Sequence, residues 1–331
     1  MKTYNSNHRF NPGSTPNVSA NTEGIMRKNK GKSILLAAAA TVASILGAAA
    51  APAHAAPITL QDYNSSVIIN PTTPSPSGVT NWTVDGVNQM NNPNGNNPSG
   101  TGEWFWFAVN GGAPMNLNTL ALNGSPTPIN IDGHPGVTGN YVSTSYGSSS
   151  PLTVGVSYDL SGGTTGSKVS DLSETATIHN GGSTAVTLQF FEYSAFTMGG
   201  SGTQDLTITG GNEATQENPS DFMVSQTVVS PKPTFFQADT AANLLAELGS
   251  ASNIHLDDQA SETNLNAAWA FEWDVTLNPG STFAIGIDKN IRAVPEPTAT
   301  VALFGLGGLF LTRPRRRDED PDPRTAQVAE A

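Results

Sequence analysis

Glu272 and Asp274 stand two residues apart in the segment Trp269-Ala270-Phe271-Glu272-Trp273-Asp274-Val275. On a strand that spacing puts both carboxylates on one face, about 7 Å apart at Cα. Carboxyl pairs separated by roughly 5 to 9.5 Å are what glycoside hydrolysis uses. The competing reading is the solvated polar face of an amphipathic strand. Three histidines fall in the middle of the chain: His134 in an Asp132-Gly133-His134-Pro135-Gly136 loop, His179 at a strand end, and His255 before Leu256-Asp257-Asp258. No two of them have the close spacing of a helical zinc motif, and a lone turn histidine is ordinarily solvated, so no metal site is expected from them. No serine sits in a Gly-x-Ser-x-Gly elbow. Calcium has two candidate places. Gly199-Gly200-Ser201-Gly202-Thr203-Gln204-Asp205 approaches the Gly-Gly-x-Gly-x-Asp calcium turn but carries Gln204 at the aspartate position and occurs once, whereas such turns work as stacked copies. Asp257 and Asp258 offer oxygen ligands suited to a hard cation. Trp104-Phe105-Trp106-Phe107 is the densest aromatic stretch. Period-two geometry sets Trp104 and Trp106 on one face, where they can form a sugar-stacking platform; alternatively the strand is central and buried on both sides.

These residues need strands to place them. The alternation predicts strands over 58–69, 81–87, 103–109, 137–145 and 152–160, and more firmly over 175–179, 184–193, 205–209, 221–230, 267–277 and 282–287. Between them, 88–102 and 111–116 read as long loops. Val186, Leu188 and Phe190 share one strand face; Trp269, Phe271, Trp273, Val275 and Leu277 share another, opposite Glu272, Asp274 and Thr276. Asn180-Gly181-Gly182 and Asn278-Pro279-Gly280 read as hairpin loops. Asp239 is placed to cap one helix over 240–248, with Leu244, Leu245 and Leu248 as its apolar stripe and Gly249 closing it. Short strands with no crossover helices predict an all-β, antiparallel, jelly-roll-like β-sandwich with a single short helix.

Both ends of the chain read as address labels. From Met26, a basic run to Lys32, an apolar run over 33–51 and Ala53-His54-Ala55 compose a signal peptide, with cleavage expected after Ala55 by signal peptidase once the export machinery has engaged it. The exported part, 56–293, has no cysteine and carries 20 acidic against four basic residues, Lys168, Lys232, Lys289 and Arg292. Such a surface repels nucleic acid and excludes thiol chemistry. At the other end, Val294-Pro295-Glu296-Pro297 precedes an uncharged stretch over 298–312, then Arg313, Arg315, Arg316 and Arg317. Fifteen residues span only about 22 Å against a hydrocarbon core of roughly 30 Å, which makes a marginal membrane helix whose arginines stay cytoplasmic.

That order of motif, short apolar helix and arginine cluster resembles the PEP-CTERM sorting signal of Gram-negative bacteria. The resemblance implies recognition by an exosortase, transient anchoring in the inner membrane, and delivery to the cell surface or extracellular matrix. In this sequence an acidic tail over 318–331 follows the arginines. Leu188-Gln189-Phe190-Phe191-Glu192-Tyr193 and the 269–281 segment are also similar to parts of uncharacterised PEP-CTERM cargo domains. The organisation read from the sequence is an extension with a signal peptide (1–55), a β-sandwich (56–293), a sorting signal (294–317) and a tail (318–331). With no catalytic constellation visible, the expectation is a protein that is not an enzyme, a structural or adhesive component associated with exopolysaccharide. The alternative is a carbohydrate-binding module or polysaccharide-active enzyme.

Overall fold

The computed structural model describes residues 55–72, 77–90, 102–148, 150–199, 202–218 and 222–294. Ala53, the motif residues Pro295, Glu296 and Pro297, and Arg313, Arg315, Arg316 and Arg317 lie outside the described residues, while Ala55 and Val294 border them. No helix among the described residues is long and apolar enough to cross a membrane.

In chain order the strands are β1 (Ile58–Asp62), β2 (Ser65–Asn70), β3 (Gly78–Val84), β4 (Val87–Asn88), β5 (Gly102–Val109) and β6 (Met115–Asn116). There follow β7 (Tyr141–Tyr146), β8 (Leu152–Gly162), β9 (Ser170–Asn180), β10 (Val186–Ala195), β11 (Gln204–Thr209) and β12 (Glu213–Glu217). The last are β13 (Phe222–Ser230), β14 (Phe235–Thr240), β15 (Ser261–Asn264), β16 (Ala267–Leu277) and β17 (Thr282–Ala293), with helix α1 (Ala241–Leu248) between β14 and β15. One sheet runs β1-β2-β3-β5-β10-β16-β14, with β4 beside β3 and β6 beside β5; the second runs β15-β11-β12-β13-β17-β9-β8-β7. Every pairing is antiparallel. The chain is therefore an all-β two-sheet sandwich, as its alternation predicts.

Several local expectations change. The stretch 58–69 is two strands rather than one, because Tyr63 takes a left-handed φ of 41° and reverses the chain. The Asn180-Gly181-Gly182 and Asn278-Pro279-Gly280 turns are not hairpins: β9 and β17 belong to one sheet, β10 and β16 to the other, so both turns arch between the layers. Asn180 ties the two arches together. Its amide donates to the carbonyls of Thr184 and Leu277, each at 2.9 Å, and its backbone carbonyl accepts from Gly280 N–H at 2.7 Å.

A main core fills the space between the sheets and includes Trp82, Phe105, Phe190, Phe271 and Trp273. A second, smaller core lies on the other side of the first sheet. There Ala241, Leu244 and Leu248 of α1, with Leu256, cover Phe191, Tyr193 and Ala270. Burying each leucine contributes about 1.5–3 kcal/mol. This third layer is why β10 and β16 are buried on both faces over most of their length. The helix begins one residue later than expected. Thr240, not Asp239, is its N-cap, accepting from Asn243 N–H at 3.3 Å, while Asp239 accepts from Asn243 Nδ2 at 2.9 Å. Thr240→Ala should cost about 1 kcal/mol, read as a shift of the urea midpoint; an unshifted midpoint would show that the cap contributes nothing.

Candidate functional site

β10 and β16 run antiparallel in a register that pairs Gln189 with Asp274 and Phe191 with Glu272. Alternation then points Gln189, Glu272 and Asp274 to the face covered by the helical layer. The segment after α1 lies along that face and brings His255 against them. His255 Nδ1 is 2.9 Å from Glu272 Oε1 and 3.6 Å from Asp274 Oδ2. Glu272 is fully buried, while the His255 and Asp274 side chains are 51% and 32% exposed. The exposed-face reading of Glu272 is thus corrected: α1 and the segment leading to Leu256 close over it, and the groove begins at Asp274.

The hydrogen bonds fix the state of the imidazole. Gln189 Nε2 commits its two hydrogens to Ile254 O at 2.8 Å and Glu272 Oε1 at 3.0 Å. Its 3.3 Å approach to His255 Nδ1 therefore carries no further proton. With Glu272 ionised, Nδ1–H donates to Glu272 Oε1, which leaves Nε2 as the basic atom. Glu272 Oε2 accepts from Leu256 N–H at 2.8 Å. The Phe235 ring packs on the imidazole with centroids 5.2 Å apart, limiting its rotation. A buried carboxylate that holds Nδ1–H and leaves Nε2 free is the arrangement that orients a histidine for proton transfer and stabilises its protonated form. Burial pushes the Glu272 carboxyl from 4.5 up to about 7; the Asp274 charge adds to this, and the Leu256 N–H and His255 oppose it.

The groove has a volume of about 310 Å³ and is lined by Thr187, Gln189, Asn253, His255, Asp274 and Thr276 among others. Gln189 Oε1 is buried with no hydrogen-bond partner among the described residues. The lining thus offers carboxamide, hydroxyl, imidazole and carboxylate groups to one ligand.

The other candidate residues fall elsewhere. His134 Nδ1 lies 2.8 Å from Asp62 Oδ1, and Asp132 accepts from Asn140 Nδ2. Asp62 Oδ2 also accepts from Gly162 N–H at 2.8 Å, so this cluster pins the His134 loop to β1 and β8. His179 pairs with Thr282 Oγ1 at 3.1 Å. Asp257 and Asp258 stabilise their own turn and the start of β14, accepting from Gln259 N–H and Phe236 N–H. Gly200 and Ser201 of the calcium-turn look-alike lie outside the described residues, and Gln204 beyond them is buried. Trp104 is 2% exposed and its indole N–H donates to Asn116 Oδ1 at 2.6 Å, so a sugar ring cannot reach it; the stacking platform is corrected to a buried strand. Trp106 is half-buried against Tyr193. Sequence reasoning passes over Gln189, although it stands in phase with Phe191 on a strand otherwise written in apolar residues.

No family model and no curated protein matches the chain. Among solved structures it is similar to an Escherichia coli K12 protein named as an aldose 1-epimerase, at 8% identity over 72% of this chain and 99% of that one, with a TM-score of 0.43. A galactose mutarotase-like protein of Lactobacillus casei shares 12% identity over 72% and 100%, with a TM-score of 0.43. A Synechocystis protein shares 12% over 73% and 98%, with a TM-score of 0.47. The expectation that the chain is not an enzyme is corrected here. That expectation rested on seeing no group of side chains able to move a proton, and His255, Glu272 and Asp274 come together as such a group.

Proposed function

We propose that this chain is an exported carbohydrate-recognising β-sandwich whose groove binds sugar hydroxyls and moves a proton to or from one of them. The observation that carries the reading is the buried Glu272 holding His255 Nδ1–H at the mouth of a polar groove. His255 Nε2 takes the proton from a bound hydroxyl, and Glu272 offsets the charge that forms on the ring. Asp274 accepts from a neighbouring hydroxyl, and Gln189 Nε2 steadies Glu272 Oε1 beneath it. A sugar presents many hydroxyls and little charge, which suits a lining of amide, hydroxyl and carboxylate groups better than it suits a nucleotide or an anionic lipid. The acidic composition agrees with that choice of partner.

In this reading the signal peptide exports the chain, and an exosortase acts at Val294-Pro295-Glu296-Pro297 while the arginines hold the C-terminal segment at the inner membrane. The product reaches the cell surface or extracellular matrix, where exopolysaccharide is the ligand.

Binding of the purified chain to a panel of monosaccharides and polysaccharides tests the site. Wild type should bind at least one glycan, and His255→Ala and Asp274→Ala should each weaken it by about tenfold or more, the size of one lost hydrogen bond to a partly buried group. Affinity unchanged in both variants, or no glycan bound at all, would overturn the assignment.

A further inference from the structure

Of the four basic residues in 56–293, one is sealed inside the sandwich. Lys289 of β17 is fully buried, with Nζ 3.0 Å from Glu174 Oε1 on β9, 3.1 Å from Glu103 Oε2 on β5 and 3.3 Å from Glu192 Oε1 on β10. All three carboxyl groups are fully buried as well. One cation among three acids leaves excess negative charge in a core lined by Phe105, Phe190 and Tyr158, a costly arrangement if every group stays ionised.

The three acids are not equivalent. Glu192 is held as a hydrogen-bonded acceptor, taking Ser194 Oγ–H at 2.6 Å on one oxygen and Gln226 Nε2–H at 2.7 Å on the other. Glu174 Oε1 accepts the Lys289 ammonium directly. Glu103 Oε2 meets the Lys289 ammonium at 3.1 Å, and no neutral donor among the described residues holds either Glu103 oxygen. Burial, then the neighbouring Glu174, raises the Glu103 carboxyl well above its ordinary range, which favours its neutral form over that of the other two.

We propose that Lys289 Nζ and the side-chain carboxyl carbon of Glu103 are joined by an intramolecular isopeptide bond, formed with loss of water and with Glu174 as the proton relay. The Lys289 ammonium first passes a proton to Glu174 along their 3.0 Å contact, giving a neutral amine and a neutral acid. The amine attacks Cδ of Glu103 while Glu174 protonates the carboxyl oxygen. Glu174 then takes a proton from the nitrogen, returns one to the departing hydroxyl, which leaves as water, and takes back the proton remaining on the amide oxygen. Start and end carry the same net charge: ammonium, carboxylate and acid become amide, water and the Glu174 acid. No oxidant or activating group is required. Fixed contact between the reactants replaces a bimolecular encounter, worth effective molarities of about 10⁵–10⁸ M. A dry core neither solvates the ion pair nor readily returns the water. The bond ties β17 of one sheet to β5 of the other, in a domain with no cysteine to cross-link it.

Peptide mapping of the full-length purified chain by mass spectrometry tests this. The expected product is a branched peptide joining the Glu103 and Lys289 segments, lighter than their sum by one water, about 18 Da. Trypsin should fail to cut after Lys289, whose amine is gone. Lys289→Met and Glu103→Ala should lack the branch. Glu174→Gln, which keeps both reacting groups, should fold yet show loss of most or all of it. Linear peptides with an unmodified Lys289 from folded wild type would overturn the proposal. A branch at Glu174 or Glu192 would overturn the choice of Glu103, and a Glu174→Gln chain that cross-links as fully as wild type would overturn the relay.

Discussion

Trp269→Ala should lower the unfolding free energy by about 4–5 kcal/mol, at the upper end for an aromatic truncated in a core. Trp269 is fully buried on β16 between the sheets, and its ring stacks on Phe196 with centroids 5.6 Å apart and planes 11° from parallel. The loss exceeds that of a cavity alone. The indole N–H donates to Gln226 Oε1 at 2.9 Å, and the same amide donates from Nε2 to Glu192 Oε2 at 2.7 Å. Removing the indole frees the amide that orients a buried carboxylate, and a partly satisfied buried network costs more than an intact one. Trp269→Phe separates the two effects. It keeps a ring against Phe196 and removes the donor, and should cost about 1–3 kcal/mol. Urea unfolding of both variants checks the pair. If Trp269→Phe is as stable as wild type, the indole–amide link supports nothing, and the cavity accounts for the whole loss in the alanine variant.

The same residues show how far the sequence can be read. β16 has the bounds its alternation predicts, Ala267–Leu277, because five large apolar residues keep phase and Asn278-Pro279-Gly280 stops it. β12 and β14 carry no such signal. Glu213–Glu217 turns Ala214 and Gln216 inward, and Phe235–Thr240 buries Gln237 and Ala238. These interior positions are small or polar, so binary patterning passes over them. The arches at Asn180 and Asn278 have hairpin composition, and only the sheet to which each flanking strand belongs decides otherwise. At the groove the gap has a different origin. His255 lies 17 residues from Glu272 in sequence, and their contact depends on α1 docking over β10 and β16. The inner charged cluster did leave a trace: Glu103 is in phase with Phe105 and Phe107, Glu192 with Phe190, and Lys289 with Ile287 and Ile291. A charge in phase with an apolar face marks a buried ionisable group, but which charges meet depends on pairings across four strands.

Glu272 gives the domain a second stability dependence, set by pH. Its carboxyl is raised in the folded chain from 4.5 to about 7, burial being the first cause. A carboxyl with a raised folded value binds its proton more tightly when folded than when unfolded. Its contribution to stability is therefore complete below about pH 4.5 and is lost as pH rises through about 7. Every tenfold gain in proton affinity on folding corresponds to about 1.4 kcal/mol, so up to about 3 kcal/mol disappears across that window. Because Glu272 is fully buried, solvent does little to screen it. Asp171, raised to about 6 by burial and then by Asp288, adds a slope of the same sign and must be subtracted. Glu272→Gln removes the titration at one site and leaves Asp171 in place. Urea unfolding of both proteins at pH 4.5 and 7.5 should show wild type losing up to about 3 kcal/mol more than the variant between those values. Parallel pH profiles would mean that Glu272 is ionised throughout. The stability profile thus tests whether Glu272 binds its proton more tightly in the folded chain, without any need to know the ligand.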